Sequence, residues 1–86
     1  MSTETNWHDL KCWPQSYQAI LDGVKTFDLR RGDRASLFKV GDGIRLREFD
    51  PRFGYTSRGC FRIITYIVHA EDYPGLLPGY CILGIK

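Results

Sequence analysis

Eighty-six residues with a mass of 9.9 kDa leave room for one hydrophobic core and exclude a second domain. Hydrophobic residues make up 43% and aromatic residues 14% of the chain, enough apolar surface to oppose an ordering entropy on the order of 100 kcal/mol, so a disordered chain is excluded too. Lys and Arg number 12 against 10 Asp and Glu, a net +2 that by itself names no partner.

The polar start, residues 1–6, is expected to be a flexible lead to a single domain spanning 1–86. Trp7 to Cys12 predicts a first strand, and Pro14 suits the opening position of a helix, where its missing N–H costs nothing. Tyr17, Ile20 and Leu21 fall at i, i+3 and i+4 and form one apolar stripe, with Gln15, Gln18 and Asp22 facing away. Gly23 is the expected helix stop. Lys25 to Arg31 alternates, Phe27 and Leu29 on one face and Thr26, Asp28 and Arg30 on the other, which is the period of a half-buried strand.

Gly32 to Ser36 is an expected polar loop, and Val40-Gly41-Asp42-Gly43 a tight turn into a strand from Ile44 to Phe49. There Glu48 shares a face with Ile44 and Leu46, which places an acid at the rim of the core or in a site. Asp50 to Tyr55 has the composition of a hairpin tip. Gly59 to His69 is the longest strand, apolar on both faces and hence expected to be central and covered on both sides. A loop from Glu71 to Gly79 leads to a closing strand, Tyr80 to Ile85. About five strands with one main helix between the first two predict an α+β fold, a mixed sheet curling toward a small barrel.

No apolar run approaches the roughly 20 residues of a bilayer span, and the N-terminus lacks a charged region followed by an apolar stretch. A soluble, cytoplasmic protein is expected. The three cysteines, Cys12, Cys60 and Cys81, are odd in number and never form CxxC, so neither a disulfide framework nor a zinc ribbon is expected. His8 and Cys12 lack a second matching pair, which favours a surface histidine and a small core thiol over half a metal site. No metal and no cofactor is assigned.

The charge is unevenly spread. From Lys25 to Arg62 ten bases face five acids, and eight of the ten are arginine, whose planar fork suits phosphates and base edges. GxSxG, HExxH, P-loop and dinucleotide-binding signatures are absent. The stretch Gly23-Val24-Lys25-Thr26-Phe27-Asp28-Leu29-Arg30 stands out instead. Asp28 and Arg30 share a strand face, and an ionised acid orients the arginine fork and leaves donors free for a ligand. Lys25 has the opposite parity and joins them only if the chain twists there. Lys11 and Trp13 add a base and a ring near the same helix–strand junction, and a ring is what an unstacked nucleobase packs against.

These residues carry a resemblance. His8-Asp9-Leu10-Lys11, Gly23-x-Lys25-Thr26-Phe27-Asp28-x-Arg30, Asp33-Arg34, Val40-Gly41-Asp42, Leu46-x-Glu48, Tyr55-Thr56-x-Arg58, Thr65-Tyr66-Ile67 and Pro78-Gly79-Tyr80-Cys81-Ile82-Leu83 resemble, in that order, a small bacterial and phage family without an assigned function. That family is grouped with the ASCH domains of the PUA-like superfamily. The resemblance implies a PUA-like mixed β-barrel with a cleft beside the helix, lined by a GxKxxExR element. Lys25 and Arg30 match the element, and Asp28 stands where glutamate is usual.

Two functions from different classes follow. The first is a module that binds RNA or a modified nucleotide, with Lys11, Trp13, Lys25, Thr26, Asp28, Arg30, Arg47 and Tyr66 as binding residues. The second, implied by one ASCH branch, is a small amidohydrolase acting on an acylated nucleoside such as acetylated cytidine, with Lys25, Thr26, Asp28 and Glu48 as candidate catalytic residues. In that branch a lysine activates a threonine, but the matching position is Asp28 here. A third reading is a bacterial or phage protein-interaction domain that meets a partner protein through the hairpin at 50–56, where Phe53 and Tyr55 lie. The sequence assigns no oligomeric state.

Overall fold

Backbone chemistry sets the ends of the helix. Pro14 occupies its first turn, and after Leu21 the chain reaches Gly23 at φ +78°, the left-handed conformation that a glycine adopts without a Cβ clash. The computed structural model describes residues 5–31 and 37–86; the loop expected at Gly32 to Ser36, and residues 1–4 of the expected lead, lie outside the described residues. Among those described, the order is β1 (Trp7–Cys12), α1 (Pro14–Leu21), β2 (Phe27–Arg31), β3 (Gly43–Asp50), β4 (Gly54–His69) and β5 (Tyr80–Ile85). A short 3-10 turn, Ala70–Asp72, follows β4.

The five strands form one mixed sheet in the order β1-β3-β4-β5-β2. Only β1 and β3 run parallel, Leu10 opposite Leu46; the other neighbours are antiparallel. The 16-residue β4 is central, as expected, and serves both halves of the sheet. Its first part pairs with β3, and from Ile64 onward it pairs with β5, with a register shift between Ile64 and Tyr66. Bulges of this kind increase strand twist and bend. The sheet curls until its edge strands approach: Arg30 of β2 donates through Nη2 to the Lys11 carbonyl of β1 at 3.0 Å.

Inside the curl, Leu10, Ile44, Leu46, Ile64 and Leu83 are almost wholly withdrawn from water, and Tyr17 and Ile20 of α1 pack onto them. Fully burying side chains of this size contributes about 1.5–3 kcal/mol each. Leu21, the third member of the expected stripe, is 40% exposed. The helix is held over β4 by Arg62, whose Nη2 donates to the Ile20 carbonyl at 3.2 Å. Among the described residues no buried side-chain nitrogen or oxygen lacks a hydrogen-bond partner.

Two strand faces differ from expectation. In β2 the apolar residues are outside: Phe27 and Leu29 are each 51% exposed, and Asp28 is buried. Register explains the inversion, because Asp28 lies opposite Leu83 and Arg30 opposite Cys81, and directly opposed residues share a face. Cys81, Leu83 and Ile85 fill the core, so their partners on β2 must point inward. Likewise β4 is covered on one face only, leaving Phe61 and Tyr66 exposed. His8, expected on the surface, is half-buried and meets Asp42 through Nε2 at 2.8 Å; Cys12 is a core thiol as expected.

A candidate ligand cleft at the seam of the sheet

Where β1 ends, α1 begins and β2 crosses beneath it, a cleft of about 330 Å³ opens, lined by Lys11, Cys12, Trp13, Ser16, Lys25, Asp28, Leu29 and Arg30. Local chain geometry delivers each group. The helix closes in a Schellman arrangement, Gly23 N–H donating to Ile20 O at 3.1 Å and Val24 N–H to Ala19 O at 3.1 Å. The Lys25 N–H also reaches Ala19 O, at 3.0 Å. This turn folds Lys25 back under the helix, where its Nζ donates to Ser16 Oγ at 2.9 Å. Lys25 therefore precedes β2 instead of lying on it, and the parity conflict in the sequence disappears.

Asp28 and Arg30 enter from β2 on its inward face. Arg30 donates through Nε to Asp28 Oδ2, their side chains being 20% and 7% exposed. One end of the guanidinium is thus anchored on the carboxylate and the other on the Lys11 carbonyl. Trp13, at the helix start, is 60% exposed, and among the described residues no other ring packs on it. Lys25 and Arg30 give the cleft two cations against the one carboxylate of Asp28, a balance that favours an anion; Lys11 borders the cleft, but its ammonium lies over the Phe49 ring, 4.2 Å from the ring centre. Burial, reinforced by the nearby Asp28 charge, raises the Cys12 thiol above its ordinary value, so this wall carries a neutral thiol and no thiolate nucleophile.

Five of the expected binding residues, Lys11, Trp13, Lys25, Asp28 and Arg30, thus meet at one cleft. Thr26, Arg47, Glu48 and Tyr66 are not among its lining residues. Thr26 is exposed, its carbonyl accepting from Ile85 N at 2.9 Å. Arg47 lies on the outer face with its guanidinium 4.1 Å from the Tyr55 ring centre. Tyr66 is also on an outer face. Glu48 points inward, but it is committed to Thr56 Oγ1 at 2.6 Å and to Arg58, whose Nε and Nη2 lie at 2.9 and 3.1 Å.

The Arg58 bond first, and the Thr56 bond second, hold the Glu48 carboxyl below its ordinary value. A carboxylate so engaged is a fixed structural acceptor and unsuited to proton transfer. The residue that sequence reasoning missed is Ser16. Its signal was its place in the first turn of a short helix, one turn ahead of the carbonyl that receives the Lys25 amide. Among the described residues no group of three or more His, Cys, Asp or Glu side chains is placed to hold a metal ion, and no helix is long and apolar enough to cross a membrane.

At the hairpin, Phe53 is 81% exposed. Tyr55 is 48% exposed and stands edge-on to Phe49 at 5.0 Å, so neither ring of the 50–56 hairpin is buried.

Fold and cleft together define a small α+β protein, a curled mixed sheet with a cationic, ligand-sized cleft at its seam. The chain belongs to the family described as a domain of unknown function, DUF3850, whose sequence profile matches residues 7–85. A comparison with curated proteins gave no match.

Proposed function

We propose that this chain is a PUA-like module of the ASCH type that binds RNA or a modified nucleotide in the seam cleft. The observation that carries the reading is the convergence of Lys25 and Arg30 with the unstacked ring of Trp13 in a cleft of about 330 Å³, the lower end of the range for small-molecule sites. In this reading Lys25, Ser16 and the free donors of Arg30 hold a phosphate, Trp13 stacks on the base, and Asp28 holds the guanidinium in place. Affinity falls steeply with added salt. The test is titration of the folded Lys25→Ala and Arg30→Ala proteins with RNA and with mononucleotides: both lose binding, and unchanged binding in either would refute the site.

A second reading, hydrolysis of an acylated nucleoside, is favoured by one observation, the contact between the Lys25 amine and a hydroxyl in the cleft. The hydroxyl belongs to Ser16, so Ser16 replaces Thr26 as the candidate nucleophile, and Glu48 has no part in it. Incubation with acetylated cytidine followed by chromatography separates the readings, because a binding module releases no cytidine above background.

A further inference from the structure

The outer face of β2, β5 and β4 carries a second feature. Phe27 of β2 and Tyr66 of β4 both lie opposite Gly84 of β5, so the two rings stand on the same face, one strand to either side of a residue without a side chain. They are 51% and 67% exposed. Neighbouring strands lie about 4.8 Å apart, which puts these backbones roughly 9.6 Å apart. A planar ring in van der Waals contact on both faces needs walls about 7 Å apart. With side chains standing off the sheet and leaning slightly together, one heteroaromatic ring fits between them.

The floor of the slot is open because of Gly84: a Cβ there would stand 3.1 Å from Thr65 Oγ1 and 3.5 Å from Tyr66 Cβ. The same distance places the Thr65 hydroxyl beside the floor, where it can bond a base edge. Two other exposed rings of the sheet have companions. Trp7 packs edge-on to Phe61 at 5.4 Å, and Arg47 covers Tyr55. Among the described residues no ring packs on Phe27 or Tyr66; the neighbour of Phe27 is the Lys25 ammonium, 5.4 Å from its ring centre. Lys25 also lines the cleft, so one cation borders both places.

We infer that Phe27, Gly84 and Tyr66 form a stacking slot for a second nucleobase, and hence that the partner is a single-stranded oligonucleotide spanning cleft and slot. This rests on the cleft reading above. Charge supports a nucleic acid over a protein segment: the outward positions of β2 and β5 bring Arg31 and no carboxylate, and Lys25 sits where a linking phosphate would pass. Aromatic–base stacking is tolerant of base identity, so the slot lengthens the binding site without fixing its sequence.

The experiment compares a mononucleotide, cytidine monophosphate, with a mixed-sequence RNA hexamer by calorimetry, on wild type and on Phe27→Ala, Tyr66→Ala and Tyr66→Leu; the leucine keeps apolar bulk and removes the π face. Wild type binds the hexamer at least tenfold more tightly than the mononucleotide. Each slot variant weakens the hexamer roughly tenfold or more and leaves the mononucleotide unchanged. Equal hexamer affinity in wild type and slot variants overturns the inference. So does a wild-type dimer, detected by light scattering, that the slot variants convert to monomer without loss of RNA affinity, since the face then joins two copies. Loss of mononucleotide binding in Lys25→Ala supports the cleft whatever the slot variants do, and hexamer binding that needs Phe27 and Tyr66 but not Lys25 overturns the cleft and keeps the slot.

Discussion

Replacing Arg30 with methionine removes the guanidinium from a carboxylate that is only 7% exposed and leaves the aliphatic stem in place. Stripping one partner from a fully buried pair costs roughly 3–5 kcal/mol, because the other charge stays desolvated. Arg30 is 20% exposed and the cleft opens to water, so part of that penalty is relieved. The bond to the Lys11 carbonyl across the seam is lost as well. Together these give an expected loss of about 2–3 kcal/mol, a fall in Tm of roughly 10–20 °C for a domain of this size.

Urea unfolding followed by circular dichroism measures the loss, with an unchanged slope showing that the unfolded state is the same. The decisive comparison is the double variant Asp28→Leu with Arg30→Met, which removes both charges. It is expected to be more stable than Arg30→Met alone by at least about 1 kcal/mol, since the orphaned carboxylate has gone. A single variant within about 0.5 kcal/mol of wild type, or single-variant losses that simply add in the double, would show that water already solvates Asp28. The argument for a desolvated, pre-set arginine would then be wrong.

Gly23→Ala forces a side chain into the left-handed region at φ +78° and is expected to cost about 1–2 kcal/mol; thermal unfolding reads this as a fall of at least 4 °C, with ligand affinity reduced as Lys25 loses its turn. Glu48 has its folded pKa lowered from the ordinary 4.5 by Arg58 and Thr56. Its contribution is therefore complete above pH 4.5 and disappears as the pH falls through the lower folded value. The stability gap between wild type and Arg58→Met, measured by denaturation across pH, should be full at neutral pH and shrink under acid; a gap constant down to acid pH contradicts the assignment. Cys12 and Cys81 are buried with raised pKa values, so thiol labelling at neutral pH should proceed at the rate of global unfolding, and fast labelling of the native protein would contradict their placement. Gly43→Ala would put a Cβ 2.3 Å from the Trp7 indole, displacing the ring and shifting its fluorescence; an unaltered spectrum would show that Trp7 does not cover Gly43.

Much of the architecture was legible because it depends on local chemistry. Pro14 and Gly23 bracket α1, and the spans expected for β1 and β5 match those observed. The composition of Asp50 to Tyr55 marked the turn between β3 and β4. The early start of β4 at Gly54 was less accessible. Its pairing with β3 is interrupted between Arg47 and Phe49, with Ser57 at φ +69°, which breaks the alternation that reveals a strand.

The sequence by itself therefore determined the existence and order of the main elements and put Asp28 and Arg30 on one strand face, because helix stops and strand alternation are written in neighbouring residues. Only tertiary structure decided which face of β2 turns inward. Alternation reports that a strand has two faces and is silent on which one meets the core; that choice came from pairing with β5, about fifty residues away, whose own apolar side chains had to be buried. The same long-range pairing set Phe27 and Tyr66 on either side of Gly84. Ser16 meets Lys25 for a comparable reason: the contact depends on a reversal of the chain, which residue spacing along a single element does not encode.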